Sequence, residues 1–439
     1  MIKVLLLTYK SSDNLGDQII EACIHSLLKL VFEDLGVADF YIDSQDIEAF
    51  LPESAAEYQM IVFGGGGIIK FEYEEFHKYV PAVVAVADEN EVPVLFSSVG
   101  VEGFNANSAR CQRLKESLNK PCVKQITTRD DFESLKLYID NPDIAIAPAA
   151  DSALYSGSVF GIQQSPTAKT IGLAVVRKGI FKRNGIDWEF EDEMVFWSEV
   201  IDLLKSKGYR YQVFTMGHFD DEVFALEMVK RGIIDRSEMV APICSSEQLF
   251  DTLSHMAGVI AFRLHAGIVS YALGVPAINL SWNNKVTHFY QNINLPERVL
   301  EFEDWNAQSA VSRLEQALKD RKEQKINTSY LYSTYSTLFD GVVACLEAKK
   351  LLPKDTPAKK RGFEEILASK ALYLPPRSDG ELLALAHDKI MTIERRYAKV
   401  ELQRRGPTVL NRIVKGLKKW RWGRFLVGQL KKIKRAFIH

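Results

Sequence analysis

Positions 263 and 265 carry the strongest chemical signal in the chain. Arg263-Leu264-His265 follows the apolar run at 259–262 and opens a helical stretch. A junction of that kind sets side chains at a strand's carboxyl end, beside unpaired helical N–H groups that favour anions. Arg263 adds a planar, permanently charged fork suited to carboxylate or phosphate. His265 can donate or accept a proton near neutral pH. An anion clamp next to an acid/base group suits a small phosphorylated carboxylate. The same spacing is also met by an arginine capping a neighbouring helix and a histidine packed in a core.

Weaker candidates surround this pair. Arg129-Asp130 follows a strand-like run, with Asp130 read as a first-turn helix residue and Arg129 facing a cleft, or else both as a surface ion pair. Asn14 and Asp17 lie in a loop that opens a helix, placed to bond a sugar, position a base, or simply cap the helix. Gly64-Gly65-Gly66-Gly67 allows close backbone approach to a ligand, above all at Gly65 and Gly66. Asp151 either faces the cleft or fixes the crossover between domains, and His218 with Asp220 follows another strand on the cleft side. The glycine run lacks the Gly-Lys-Ser/Thr ending of a P-loop and does not meet GxGxxG, which speaks against a nucleoside triphosphate or dinucleotide. No metal-ligand spacing and no nucleophile elbow is found, and no tightly bound cofactor is expected.

The elements that must position these residues alternate in type. Strands are expected at 2–8, 59–63, 92–97, 123–127 and 144–147, with helices at 17–32, 73–87 and 130–139. A Gly/Ser/Gln/Pro stretch at 157–167 reads as a linker. Beyond it the pattern restarts, with strands at 169–176, 210–216, 259–263 and 276–280 and helices at 189–205, 220–230 and 265–273. Strand–helix alternation implies parallel sheets covered on both faces, with ligands at the strands' carboxyl ends. The fold class is therefore α/β: two Rossmann-like domains, 1–156 and 168–349, facing a cleft in a GT-B-like arrangement. A helical connector is expected at 350–408, with an exposed, Pro- and Lys-rich start, and a basic helical tail at 409–439.

Composition narrows the class. Of 439 residues, 55 are Lys or Arg and 57 Asp or Glu, and 47% are apolar, as in ordinary globular proteins. Five scattered cysteines without CxxC spacing argue against a disulfide framework or a zinc site. No run of about 20 apolar residues is present, so a cytoplasmic location is expected.

Taken together, the motifs resemble those of the polysaccharide pyruvyl transferase family. The resemblance rests on Asn14-Leu15-Gly16-Asp17, Gly64 to Gly67, Ser98-Val99-Gly100, Thr128-Arg129-Asp130, Asp151 with Ala153-Leu154, Arg263-Leu264-His265 and Gly274-Val275-Pro276. It spans roughly residues 1–300. It implies an enzyme that transfers a pyruvyl group from phosphoenolpyruvate to a sugar hydroxyl pair, forming a ketal during surface polysaccharide synthesis. It further implies that Arg263 and His265 hold the donor and assist protonation, with Arg129 a second donor ligand. Asn14, Asp17 and the glycine run would lie near donor or acceptor. The rival readings are a GT-B glycosyltransferase using a nucleotide sugar, for which no diphosphate site is evident, and a non-catalytic scaffold tethered to a membrane.

The end of the chain is different in kind. After Glu401 no acidic residue occurs. On a helix, Leu410, Ile413, Val414, Leu417 and Trp420 share one face, and Arg412, Lys415, Lys418 and Lys419 the other. A second apolar face, from Phe425 to Phe437, opposes Arg424, Lys431, Lys432, Lys434 and Arg435, and the phase slips near Trp422-Gly423. Two amphipathic helices with Trp420 and Trp422 at the interface and Lys418, Lys419, Lys431 and Lys432 toward anionic headgroups are expected to lie on a membrane. The expected partners are a saccharide acceptor carried on a polyprenyl lipid and the inner face of the cytoplasmic membrane. No nucleic-acid partner is expected.

Overall fold

The computed structural model describes residues 1–405 apart from 11–12, 73–74, 166–167, 177–179, 241, 321–326 and 354–358. The basic tail expected at 409–439 lies outside the described residues. In the first half, β1 (Ile2–Thr8), α1 (Leu15–Asp34), β2 (Phe40–Asp46), β3 (Met60–Gly64), α2 (Phe76–Glu89), β4 (Val94–Val99), α3 (Ala109–Leu118), β5 (Val123–Thr128), α4 (Phe132–Tyr138) and β6 (Ala145–Pro148) alternate. The strands form one parallel sheet in the order β2-β1-β3-β4-β5-β6. Covered on both faces, its inner strands are continuous apolar runs, and Val4 to Leu7 are wholly inaccessible. β2, absent from the sequence reading, is an edge strand with the half-exposed sequence FYIDSQD, which lacks the apolar signal of a buried strand.

A 3-10 turn at Ser152–Tyr155 precedes the expected linker, and α5 (Ser156–Phe160) occupies its start. The second half contains β7 (Thr170–Ala174), α6 (Ile180–Arg183), α7 (Phe190–Ser206), β8 (Arg210–Phe214), α8 (Phe219–Lys230), α9 (Ser246–Ser254), β9 (Met256–Ala261), α10 (Leu264–Ala272), β10 (Ala277–Leu280), α11 (Asn284–Asn292), β11 (Val299–Leu300) and α12 (Ala307–Lys319). Its parallel sheet runs β11-β10-β9-β7-β8.

Both sheets share one plan. Their chain order reverses between β1 and β3 in the first and between β7 and β9 in the second. Crevices at such reversals are where open parallel sheets take ligands. The Asn14–Asp17 loop follows β1, the glycine run follows β3, and Arg263-Leu264-His265 follows β9.

The remaining helices depart from the expected domain limits. α13 (Thr328–Ala348) packs on the first sheet rather than the second: Gln125 Nε2 donates to the Thr337 carbonyl at 2.8 Å, and Thr334 Oγ1 to the Ala150 carbonyl at 2.7 Å. α14 (Phe363–Leu367) and the turn after it, in the stretch expected as a helical connector, bury Ile366 and Leu372 completely. Arg361 and Tyr335 both donate to the Asp34 carboxylate at the end of α1, which ties this segment down. The compact body therefore extends to Leu382, and Leu383–His439 forms a second unit. α15 spans Asp379–Arg405.

Candidate functional site

Three residues from distant parts of the sequence meet beneath the first turn of α1. The Arg129 guanidinium, at the end of β5, donates from Nη1 to Asp151 Oδ2 at 2.5 Å. His265 Nε2 lies 3.4 Å from the same Nη1 and 3.6 Å from the same carboxylate oxygen. All three side chains are buried. Asp151 also caps the following 3-10 turn, its Oδ1 accepting from Ala153 N at 2.9 Å, so it serves both the site and the chain crossover. Burial works against its charge, but Arg129 and then His265 outweigh that and hold the carboxyl well below the usual carboxylate range. Burial likewise opposes the Arg129 charge, and Asp151, Asp130 and Asp17 more than restore it.

The Asn14–Asp17 loop forms the lid of this cluster. Asn14 caps α1 by accepting from Gly16 N at 3.2 Å, and its Nδ2 donates to Asp17 Oδ2 at 3.1 Å. Gly16 sits directly on the His265 ring: a Cβ there would lie 2.5 Å from both Cγ and Nδ1. Leu15 N donates to the Met216 carbonyl at 2.9 Å, a direct tie from this loop to the strand end in the second half.

Arg263 is held from behind. Its Nε and Nη2 form a two-pronged bond to Asp221 Oδ2 and Oδ1, at 2.7 and 2.8 Å, and Asp221 is wholly buried. Only one of its nitrogens, Nη1, is left without a hydrogen bond among the described residues. Its carbonyl accepts from Asn279 Nδ2 at 3.0 Å, which fixes the junction between β9 and α10. The fork expected to clamp a ligand is thus largely engaged with protein. His218 caps α8, with Nδ1 accepting from Asp220 N at 3.2 Å. Asp131 rather than Asp130 caps α4, because Asp130 turns back: its Oδ1 accepts from Val101 N, Thr128 Oγ1 and Asp131 N at 2.7, 3.0 and 2.8 Å.

The glycine run brings in residues that sequence reasoning missed. Gly65 and Gly66 have φ of +60° and +66°, a left-handed conformation that glycine adopts without strain. Beyond them, a Cβ at Gly67 would lie 2.9 Å from Lys70 Nζ and 3.3 Å from Lys285 Nζ. Both ammonium groups share one carboxylate, Glu102, at 3.3 Å from Lys70 and closer still to Lys285. Burial is overcome by Lys285 and Lys70, which bring the Glu102 carboxyl down to about 2. Burial and the neighbouring Lys70 lower the pKa of Lys285. An incoming anion would relieve both cations. The signal that could have found Lys285 is positional: it opens α11 directly after β10, the same strand-end logic that singled out Arg263. Lys70, Glu102 and Asp221 carry no comparable local signal.

This cluster opens into a cleft of about 380 Å³ between the two sheets, whose lining includes Glu72, Glu102, Asp130, Asp131, Asn283, Lys285 and His288. Among the described residues no group of His, Cys, Asp or Glu could hold a metal ion, and no helix is long and apolar enough to cross a membrane.

Solved structures with the same architecture share little sequence. A protein assigned as a UDP-N-acetylglucosamine 2-epimerase from Listeria monocytogenes is 8% identical, with a TM-score of 0.54 over 81% of this chain and 100% of its own. The UDP-N-acetylglucosamine 2-epimerase of Methanocaldococcus jannaschii is 11% identical, with a TM-score of 0.50 over 78% of this chain and 100% of its own. At such identities the likeness concerns the fold alone. No curated protein sequence matches the chain. The family model for polysaccharide pyruvyl transferase matches residues 14–284, a span that holds Arg129, Asp151, Arg263 and His265, ends just short of Lys285 and covers more than half of the chain. The chain therefore belongs to the polysaccharide pyruvyl transferase family.

Proposed function

We propose that this enzyme takes its pyruvyl group from phosphoenolpyruvate and closes it as a ketal on two hydroxyls of a saccharide. The observation that carries the reading is His265, buried against the Arg129–Asp151 pair, together with the two lysines crowded at Gly67 of the glycine run. Phosphoenolpyruvate presents two anionic groups and a methylene carbon that must be protonated. Lys285, Lys70 and the remaining Arg263 nitrogen supply cations for carboxylate and phosphate. His265, held 3.6 Å from the Asp151 carboxylate, supplies the proton.

The bookkeeping of the reaction fits one acid/base group. The methylene carbon takes a proton and becomes a methyl group, and a sugar oxygen bonds to the neighbouring carbon. The bond from that carbon to the phosphate oxygen breaks, and the second sugar oxygen closes the ketal. Of the two protons the hydroxyls release, one replaces the proton given to the methyl group and the other leaves on hydrogen phosphate. Asn14, Asp17 and Gly65–Gly66 border this reaction space, whereas His218, tied into a helix cap, is the least suited of the candidates to touch a sugar.

The acceptor is taken to be lipid-linked, presented at the inner face of the cytoplasmic membrane and met there by the basic tail. Calorimetry with phosphoenolpyruvate tests the donor site. The wild-type protein is expected to bind, Lys285→Met to bind about tenfold more weakly or worse, and His265→Ala to lose turnover while still binding. A wild-type protein that ignores phosphoenolpyruvate with or without acceptor, yet binds a nucleotide sugar, would return the assignment to a glycosyltransferase.

A further inference from the structure

Three residues that line the cleft beside the lysine pair each carry an enclosed polar atom without a partner among the described residues. Asp130 Oδ2, Asn283 Oδ1 and His288 Nδ1 are each enclosed and unbonded, and all three residues line the same cleft of about 380 Å³. Enclosed polar atoms without partners are costly, so each needs an explanation. Asn283 is the clearest case. It occupies the N-cap position of α11, where an Asn side chain ordinarily accepts from the helix backbone, and it makes no such bond. Gly100 leaves room at Asp130, since a Cβ there would come within 3.0 Å of Oδ2.

Each of the three atoms can accept a hydrogen bond. A carboxylate oxygen and an amide oxygen only accept, and a neutral imidazole with its proton on Nε2 accepts at Nδ1. A group of acceptors calls for a ligand rich in O–H donors. Glu72 and Asp131 join Asp130 in the lining, so the walls carry negative charge away from Lys285. Such a wall repels a carboxylated ligand while accepting hydroxyls.

We propose that this cleft is the acceptor subsite and that it selects an uncharged sugar, whose hydroxyls donate to Asp130, Asn283 and His288, over a uronic acid. The assignment rests on the reading of the chain as a ketal-forming transferase, and it gives the acceptor a place and a charge class. The subsite adjoins the donor cations through Lys285, which lines the cleft and packs at Gly67. These residues bind the acceptor; the proton chemistry stays with His265.

The test separates acceptor from donor. Saturation-transfer NMR would follow methyl α-mannoside, methyl β-galactoside and methyl glucuronide on the full chain, and calorimetry would follow phosphoenolpyruvate. A neutral glycoside is expected to bind about tenfold or more tightly than the glucuronide. His288→Ala and Asn283→Ala are each expected to weaken the neutral glycoside about tenfold with phosphoenolpyruvate affinity unchanged. Both side chains are partly exposed, and neither belongs to the core. Glucuronide bound as tightly as the neutral sugars, no neutral glycoside bound at all, or variants that bind sugar like the wild type would each overturn the subsite. A wild-type protein that binds the neutral glycoside in this cleft but never phosphoenolpyruvate would leave the subsite standing and remove the donor reading instead.

Discussion

Gly16 has no side chain because the His265 ring fills the space where one would stand, 2.5 Å from the missing Cβ. Alanine is otherwise welcome in the first turn of a helix. Gly16→Ala should therefore leave the fold intact and push the imidazole off its place between Arg129 and Asp151. A displacement of that size is expected to cost about a hundredfold in turnover, with the thermal midpoint little changed. Turnover equal to wild type would mean that the position of His265 is unimportant. Arg263 behaves differently. Its removal would take away the two-pronged partner of the buried Asp221 carboxylate and cost about 3–5 kcal/mol of stability, so lost binding in that variant would not isolate a donor contact. Sequence spacing could expose Arg263 and His265 because they are two residues apart at a strand end. It could not expose Asp221, 42 residues away, because nothing local marks an aspartate as the partner of a particular arginine.

At the scale of elements, the strand ends explain why the site was largely legible and where it was not. Loops after β1, β3, β5 and β9 supplied residues named from sequence, since apolar strand runs are easy to locate and ligands gather at their carboxyl ends. The loop after β10 obeys the same rule, yet Lys285 drew no notice because a lone lysine in a polar segment resembles any surface lysine. What distinguishes it is Glu102, 183 residues away in the other half. This contact makes a pH prediction. The Glu102 carboxyl falls from an ordinary 4.5 to about 2, so the stabilisation it provides is complete above 4.5 and is lost as pH drops toward 2. Glu102→Gln leaves Lys70 and Lys285 facing each other and should lower the urea midpoint at pH 7. The difference from wild type should shrink as pH falls from 4.5 toward 2. A gap that stays constant across that range would mean that the carboxylate does not hold the two lysines.

For the whole molecule, the two parallel sheets follow from the alternation of strand and helix, whereas the division of the chain does not. α13, α14 and the turn after it return to the first half through Gln125, Asp34 and Val159, contacts that composition cannot forecast from a Lys- and Pro-rich stretch. The tail beyond is a matter of charge. Each Lys or Arg brought to an anionic surface contributes about 1 kcal/mol, and from Arg404 onward the chain has many and no acid to offset them. A chain ended after Gln403 keeps the whole compact body to Leu382 and should still bind phosphoenolpyruvate as the full chain does. It should fail to float with anionic liposomes that carry the full chain upward. Because the Debye length falls to about 3 Å in 1 M salt, flotation of the full chain should weaken there, leaving what the tryptophans and leucines of the apolar faces contribute. Equal flotation of the two chains would place membrane contact, if any, on the body and leave the basic tail to another anionic partner.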